Sequence, residues 1–289
     1  MQTLTSKQNK PEGYLNTPRI PKLTEIKAKQ KATWESGDFG QIARSIENFA
    51  EEFMARQTLR PGSRVLDVAC GTGNLAVIAA QHGCIVHGVD IAANLLVQAR
   101  ERAVESGLNI DFREADAESL PFADDCFDLT VSMFGVMFTP QPAIATSELW
   151  RVTKPGGRIA LANWTPDGFL GKMFGVFKAH LPPPPAGVPS PMQWGDEATV
   201  RERLHQGFTD LRLTRHVGRM RYPFPPAETV EFFCKYYGPT LRAFESLTPA
   251  GQEELRRDLV ELQTRYNTAE TPGATEVAAE YLEVIATKI

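Results

Sequence analysis

Short apolar runs alternate with amphipathic stretches through the middle of the chain. Apolar residues recur every three or four positions over residues 41–55, which predicts an amphipathic helix. Short apolar runs predict strands at residues 63–69, 84–90, 109–115, 127–134 and 157–164, of which the first is expected to be buried. Helical spacing joins them over residues 74–82, 92–106 and 142–152. This alternation predicts an α/β fold, a doubly wound sheet with helices on both faces.

The pattern changes after residue 165. Six prolines between residues 180 and 194 exclude a helix or a central strand there. Further elements are predicted as a helix around 170–177, one or two strands over 211–224, helices over 227–247 and 249–266, and a last strand over 280–287. We therefore predict four segments: an N-terminal arm or lid (1–40), a sheet domain (41–165), a cap insertion including the sixth strand (166–275) and a final strand (276–289).

Charge and cysteine content narrow the classes of protein. The chain has 289 residues and a net charge of −4, so it has no global attraction to nucleic acid or to an anionic membrane. Its four cysteines are too scattered for a zinc ribbon or a disulfide scaffold, and no metal site is expected. No run is apolar enough to cross a bilayer and the N-terminus lacks a signal-peptide pattern, so a cytoplasmic location is expected.

The strongest local signal is VLDVACGTGNLA at residues 65–76, a strand that enters a glycine turn and then a helix. Gly71 and Gly73 allow a sharp turn and a close approach of the backbone to a ligand. Their spacing also fits the dinucleotide fingerprint, with Asp90 near the offset of a ribose-binding acid. Spacing alone therefore leaves two classes open, NAD-dependent oxidoreductases and S-adenosylmethionine-dependent methyltransferases.

Carboxylates at three successive strand ends separate these classes. Asp67 lies in the first strand, Asp90 ends the second, and Asp116 follows the third. In a doubly wound sheet these strand ends face one crevice. An acid there repels a pyrophosphate but attracts a sulfonium or an ammonium group. The three acids therefore favour a cationic nucleoside ligand.

The segments VLDVACGTGNLA, GVDIA, EADAESLPFADDCFD and ELWRVTKPGGRIALANW resemble the class I S-adenosylmethionine-dependent methyltransferases. Within that superfamily the chain is most similar to the ubiquinone/menaquinone-biosynthesis C-methyltransferases, which belong to the methyltransferase type 11 group. The resemblance is strong over residues 34–165, and EYLEVIATKI is similar to the family's antiparallel seventh strand. It implies a mostly parallel sheet ordered 3-2-1-4-5-7-6.

The resemblance also implies roles for single residues around S-adenosylmethionine. Four would line the methionine part: Asp67, Ala69, Gly71 and Gly73. Asp90 would hold the ribose hydroxyls, and Ile91 would flank the adenine. Asp116 and Ala117 would meet the adenine edge, and Met133 would approach the methionyl amine. Ala69 departs from the family pattern, which has glycine there, so we expect a slightly tighter loop with binding retained.

The sequence after the fourth strand, SMFGVMF, lacks the motif typical of methylation at exocyclic amines. This favours a small, partly apolar organic acceptor. The candidate pocket residues are mostly aromatic: Trp34, Phe39, Phe134, Met137, Phe138, Trp164, Met173, Phe177, Trp194, Tyr236 and Tyr237. His180 is the one candidate base, although a histidine beside prolines more often lies in a surface loop.

The function expected from the sequence is methyl transfer from S-adenosylmethionine by in-line displacement, driven by proximity and desolvation. Two alternatives from other classes are an NAD-dependent oxidoreductase and a cofactor-binding protein without turnover. An RNA methyltransferase is disfavoured by the acidic balance of the chain.

Overall fold

A seven-stranded sheet forms the centre of the computed structural model, which describes residues 22–289. Its strands are β1 (Arg64–Val68), β2 (Ile85–Asp90), β3 (Asp111–Glu114), β4 (Phe127–Met133), β5 (Thr153–Trp164), β6 (Phe208–Tyr222) and β7 (Thr275–Lys288). Their order across the sheet is β3-β2-β1-β4-β5-β7-β6, which confirms the predicted order. Strands β1 to β5 run parallel, and β7 is antiparallel to both β5 and β6.

Helices surround this sheet. Those before and between the parallel strands are α1 (Leu23–Trp34), α2 (Phe39–Ser45), α3 (Glu47–Ala55), α4 (Asn74–Gln81), α5 (Ala93–Glu105) and α6 (Pro142–Val152). Those after β5 are α7 (Phe169–His180), α8 (Glu197–Leu204), α9 (Pro226–Tyr236), α10 (Gly238–Glu245) and α11 (Pro249–Tyr266). None of the helices between residues 22 and 289 combines the length and the apolar character needed to span a bilayer.

The central strands are covered on both faces, which explains their continuous apolar sequences. In β1, Val65, Leu66 and Val68 are all fully buried, although neighbouring residues point to opposite faces. Each buried aliphatic side chain of this kind contributes about 1.5–3 kcal/mol of transfer free energy. The same strand carries Asp67 into the interior, 1% exposed, where a carboxylate has an unfavourable environment unless a partner is supplied.

Two predicted elements differ in detail from the structure. The helix predicted over 41–55 is two helices, because Ile46 leaves helical geometry with φ −121° between α2 and α3. Strand β5 begins at Thr153, four residues before the predicted start at residue 157. The turn chemistry is still visible, since Gly156 has φ +72° and the pairing of β4 with β5 shifts register between Phe127 and Leu129. The apolar spacing alone could not reveal either irregularity.

Strands β6 and β7 are longer than predicted. They pair from Phe208 with Lys288 through to Tyr222 with Thr275. The backbone hydrogen bonds of this ladder stabilise both strands at the positions where their side chains are polar. Pro223 follows directly and cannot donate to the ladder, which ends β6. The apolar pattern that would predict β6 is weak because residues on one face of this strand are exposed along most of its length.

Candidate active site

The loop between β1 and α4 has three left-handed residues in alternate positions. Ala69, Gly71 and Gly73 have φ of +55°, +52° and +80°. The loop is fixed by hydrogen bonds from Cys70 N to Val89 O (2.9 Å) and from Gly73 N to Cys70 O (2.8 Å). A Cβ on Gly73 would lie 3.2 Å from the Phe112 ring, so this turn also needs glycine for space. The loop therefore brings backbone into the floor of a cavity.

That cavity has a volume of about 470 Å³ and lies at the carboxyl ends of β1, β2, β3 and β4. All nine residues predicted to hold the cofactor except Gly73 line it; they are Asp67, Ala69, Gly71, Asp90, Ile91, Asp116, Ala117 and Met133. Gly73 caps α4 beneath the loop. The volume is within the range of about 300–1,000 Å³ that is usual for small-molecule and cofactor sites.

Asp90 holds the loop from the neighbouring strand. Its Oδ2 accepts a hydrogen bond from Gly71 N at 2.8 Å, and its Oδ1 accepts one from Ala92 N at 2.9 Å. Burial raises the pKa of the Asp90 carboxyl, although the bonds from backbone N–H groups oppose that shift. The carboxylate thus joins the glycine loop to the start of α5, and Asp90 also lines the cavity.

Asp67 is the second buried acid on the cavity floor. Its Oδ2 accepts a hydrogen bond from Ala76 N in the first turn of α4 at 3.0 Å. Burial raises the pKa of the Asp67 carboxyl well above its usual range, and the charge of Asp90 raises it further. Within residues 22–289 neither carboxylate has an ion-pair partner, so a bound cation would stabilise their ionised forms.

The third acid, Asp116, follows β3 and is bridged to the N-terminal helix. Lys27 of α1 lies 2.5 Å from Asp116 Oδ2 and 2.5 Å from Glu118 Oε2. Although partial burial lowers it, the hydrogen bonds to these two carboxylates raise the pKa of Lys27 overall, so the ammonium form is held. A second lysine, Lys31, pairs with Glu114 at the end of β3. Helix α1 is thereby fixed over the adenine side of the predicted site.

Aromatic residues form the roof. Trp34 at the end of α1 packs edge-on against Phe39 and Phe138, with ring centroids 5.7 and 4.9 Å apart. Gln30 Nε2 donates to Phe138 O at 2.7 Å and ties α1 to the segment after β4. Phe134, with φ +56°, closes the far wall and stacks on Trp164 with centroids 3.5 Å apart. Trp34, Phe39, Phe134 and Phe138 therefore line the cavity, as the sequence predicts.

The other predicted pocket residues do not line this cavity. Met137 is buried in the turn after β4, and Trp164 lies behind Phe134. Phe177 and Met173 line a separate small cavity between α7, α9 and α11. Tyr236 packs on Phe232, Tyr237 packs behind Trp34, and Trp194 is buried beneath Arg203. The aromatic rings and methionine side chains of these residues pack against other parts of the fold.

His180, the one candidate base, pairs with an acid on α11. Its Nε2 lies 2.8 Å from Asp258 Oδ2, so the pair joins the end of α7 to α11. It is absent from the cavity lining, and among residues 22–289 no histidine lines that cavity.

Residues 22–289 contain no group of three or more His, Cys, Asp or Glu side chains arranged to hold a metal ion. Burial raises the pKa of the Cys70 thiol on the cavity floor well above its usual range.

The polar residues of α1 are part of the cavity wall, although no sequence motif indicates them. Thr24, Lys27 and Lys31 line the cavity on the same helix as the predicted Trp34. They recur every three or four positions, which is the spacing of one helix face, but the face is too polar to stand out as amphipathic. The predicted cap at 166–275 contributes no residue to this cavity; the roof comes from residues 24–46 and 133–140, and α9 and α10 support it from outside. Residues 1–21 of the predicted arm lie outside the described residues.

The positive φ of Ala69 predicts that glycine at this position would stabilise the protein. A left-handed alanine costs roughly 1–2 kcal/mol, whereas glycine adopts that conformation freely. We expect Ala69→Gly to raise the free energy of unfolding by about 0.5–1 kcal/mol after the greater chain entropy of glycine is subtracted. Chemical denaturation measures it. The control Ala103→Gly, in the interior of α5, should lower stability by about 1 kcal/mol; equal losses in both variants would contradict the account.

Comparison with known proteins adds independent findings. A model described as a methyltransferase domain matches residues 66–161. An uncharacterized protein of Mycobacterium tuberculosis is 37% identical over 256 residues, which cover 87% of this chain and 93% of that protein. The demethylmenaquinone methyltransferase of Thermus thermophilus is 38% identical over 124 residues, covering 42% of this chain and 56% of that enzyme.

A solved structure of a candidate methyltransferase from Bacillus halodurans is similar in fold. It has a TM-score of 0.58 and 21% identity, and the match covers 83% of this chain and 98% of that chain. The sequence match to the domain model runs from Leu66 in β1 to Leu161 in β5. It therefore spans the floor of the cavity, whereas α1 and α2 in its roof lie outside the matched segment.

Proposed function

The chain belongs to the class I S-adenosylmethionine-dependent methyltransferases, and from this we propose that its 470 Å³ cavity binds S-adenosylmethionine and a small, partly apolar acceptor. The observation that carries the proposal is the pair of buried carboxylates, Asp67 and Asp90, which have no ion-pair partner within residues 22–289. A ligand with a net positive charge compensates them, and a pyrophosphate would add repulsion.

The side chains on the cavity floor fit the cofactor. Asp90 would accept from the ribose hydroxyls with the lone pairs that its two backbone hydrogen bonds leave free. Asp67, Ala69 and Gly71 would hold the methionine part, and Asp116 with Ala117 would meet the adenine edge. When bound, S-adenosylmethionine supplies an activated methyl group on a cationic sulfur.

The protein's own contribution is orientation and exclusion of water. The roof residues Trp34, Phe39 and Phe138 cover the crevice with apolar surface, which suits a partly apolar acceptor. Holding both reactants in line supplies about 7–11 kcal/mol in favourable intramolecular cases. No histidine lines the cavity among residues 22–289, and the raised pKa keeps the Cys70 thiol neutral, so we propose that transfer does not use either as a general base.

Turnover tests the proposed function. The chain is incubated with S-adenosylmethionine and a panel of phenols, quinols, amines, thiols and carbon acids, and S-adenosylhomocysteine is measured by mass spectrometry. We expect acceptor-dependent formation of S-adenosylhomocysteine with at least one partly apolar member, and none without acceptor. Tight cofactor binding with no acceptor-dependent product across the panel would support a binding protein without turnover instead.

The raised pKa values of Asp67 and Asp90 predict a pH dependence of cofactor affinity. A bound cation favours ionised carboxylates, so binding releases protons at pH values below the raised pKa. S-adenosylmethionine should therefore bind more tightly as pH rises from about 5 to 8, and S-adenosylhomocysteine, which lacks the sulfonium charge, should respond less. Titration calorimetry across this range measures both.

Asp67→Asn sharpens this pH test, because the amide oxygen can still accept from Ala76 N. A carboxyl with a raised folded-state pKa binds protons more tightly when folded, so it makes stability fall as pH rises through that window. The stability of the variant should fall less as pH rises through this window. Its affinity for S-adenosylmethionine should also depend less steeply on pH. The control Asp111→Asn, outside the cavity, should keep the wild-type slope; identical slopes in all three proteins would refute the assignment.

We further propose that α1, within the N-terminal segment 1–40, acts as a lid over the bound cofactor. Its attachments are the Lys27 bridge to Asp116 and Glu118 and the Lys31 pair with Glu114. Lys27→Met should speed dissociation of S-adenosylhomocysteine roughly three- to tenfold, since partly buried ion pairs contribute about 1 kcal/mol or somewhat more. Stopped-flow fluorescence measures the rate. Lys29→Met, on the same helix but outside the cavity, should leave it unchanged; equal rates in the two variants would remove the lid proposal.

A further inference from the structure

A second cavity lies at the opposite end of the sheet from the cofactor site. It has a volume of about 510 Å³ and opens at the amino ends of β1, β4 and β5. Arg60, Lys154 and Arg158 line it together with Ser63 and Asp128, and we call it the basic groove. These residues lie outside the predicted cofactor and acceptor sites, and the proposed methyl transfer does not use them.

The charges of the basic groove are unbalanced. Lys154 Nζ lies 2.6 Å from Asp128 Oδ1, and Asp128 Oδ2 also accepts from Arg64 N at 2.8 Å, so the one lining acid is already engaged. Arg158 donates to Thr58 O at 3.3 Å and forms no ion pair within residues 22–289. Arg60, on the rim, likewise has no carboxylate partner in the described part of the chain. The lining therefore carries an excess of two positive charges.

A further arginine adds to this field. Burial lowers the pKa of the Arg158 guanidinium, and the charges of Arg212 on β6 and of Arg60 lower it further. The charges of Arg60 and Arg212 both oppose that of Arg158, and this repulsion beside a concave surface costs free energy in the unliganded protein. An anion seated between them would remove that cost, and guanidinium groups match the oxygens of phosphate in geometry.

We propose that the basic groove binds the phosphate group of a small phosphorylated molecule. A phosphate monoester carries about −1.5 to −2 charges near pH 7, which matches the excess positive charge better than a single carboxylate does. The volume is far larger than one phosphate and lies in the range of about 300–1,000 Å³ for small ligands, so the groove has room for the organic part as well. The site is separate from the methyltransferase cavity, with which it shares no lining residue.

Calorimetric titration with inorganic pyrophosphate tests this site in the full chain. We expect 1:1 binding to the wild type, at least tenfold weaker binding to Arg60→Gln and to Arg158→Gln, and none detectable in the double variant. Arg60 is exposed at the rim, so Arg60→Gln is a variant that should fold normally. The control Arg257→Gln removes an exposed charge of α11 and should bind as the wild type does.

Three outcomes would overturn the proposal. They are no binding of pyrophosphate to the wild type at millimolar concentration, equal affinity in the double variant, and equal weakening in Arg257→Gln, which would indicate a response to net charge only. Binding of single-stranded RNA with no binding of pyrophosphate would also overturn it, because the groove would then serve a polyanion. None of these results depends on S-adenosylmethionine or on turnover.

Discussion

Asp90→Ala is expected to weaken S-adenosylmethionine binding by at least about 100-fold. The variant removes the acceptor for Gly71 N and Ala92 N, which leaves the glycine loop without its attachment to β2 and α5. It also removes the proposed partner of the ribose hydroxyls. Hydrogen bonds to charged groups contribute about 1.5–3 kcal/mol each, and a 100-fold loss corresponds to about 2.7 kcal/mol. Titration calorimetry on the folded fraction gives the affinity.

The matched control for this substitution is Asp111→Ala. Asp111 lies on the adjacent strand β3, pairs with Arg113 and does not line the cavity. Its removal should change affinity less than threefold. Circular dichroism and thermal unfolding show whether the variant is folded, and so distinguish a binding defect from loss of fold. We expect a folded protein, because removal of a buried charge partly offsets the hydrogen bonds lost at Asp90. A folded Asp90→Ala protein with wild-type affinity would exclude the ribose assignment.

Gly135→Ala is the second substitution expected to have a large effect. A Cβ on Gly135 would lie 2.5 Å from the Cβ of Ala69 and 2.8 Å from its carbonyl oxygen. The end of β4 and the glycine loop would have to separate, at a cost of about 1–3 kcal/mol in stability. Because that loop forms the cavity floor, S-adenosylmethionine affinity should fall at least tenfold. Thermal unfolding and calorimetry measure the two effects.

A double-mutant cycle identifies the contact responsible. In an Ala69→Gly background the closest clash is gone, so Gly135→Ala should lose less stability there, although the carbonyl of residue 69 still opposes the new methyl group. Gly175→Ala in α7 is the control, because a Cβ there meets nothing within 4 Å and should be neutral or stabilising. Equal losses at Gly135 in both backgrounds would mean that the Cβ of Ala69 is not the atom that opposes the new methyl group.

The parallel half of the fold could be predicted because its strands are buried on both faces. Val65, Leu66 and Val68 are all buried in β1, with Asp67 as the one polar residue among them, and helical periods follow most of these strands. The antiparallel half was less clear. Strand β6 is exposed on one face and rich in arginine, and its length depends on pairing with β7, which no local pattern reports.

The floor of the site could be predicted in the same way, and the roof only in part. Asp67, Asp90 and Asp116 follow strands in sequence, and the topology of a doubly wound sheet brings such strand ends together. An aromatic residue carries no such information, since Trp164 and Phe134 have similar sequence contexts but Trp164 stacks behind Phe134. The place of α1 over the cavity could not be predicted from the sequence, because the helix is held there by ion pairs with residues about 90 positions away, such as Lys27 with Asp116.

The central claim is that the 470 Å³ cavity binds a cationic nucleoside cofactor against Asp67 and Asp90. Titration calorimetry with S-adenosylmethionine, S-adenosylhomocysteine and NADH at pH 7.5 is the most direct test. The account predicts 1:1 binding of the first two ligands, with a dissociation constant between about 1 μM and 1 mM, typical of KM values for enzyme substrates, and no NADH binding. NADH binding together with no heat from S-adenosylmethionine at millimolar concentration would contradict it.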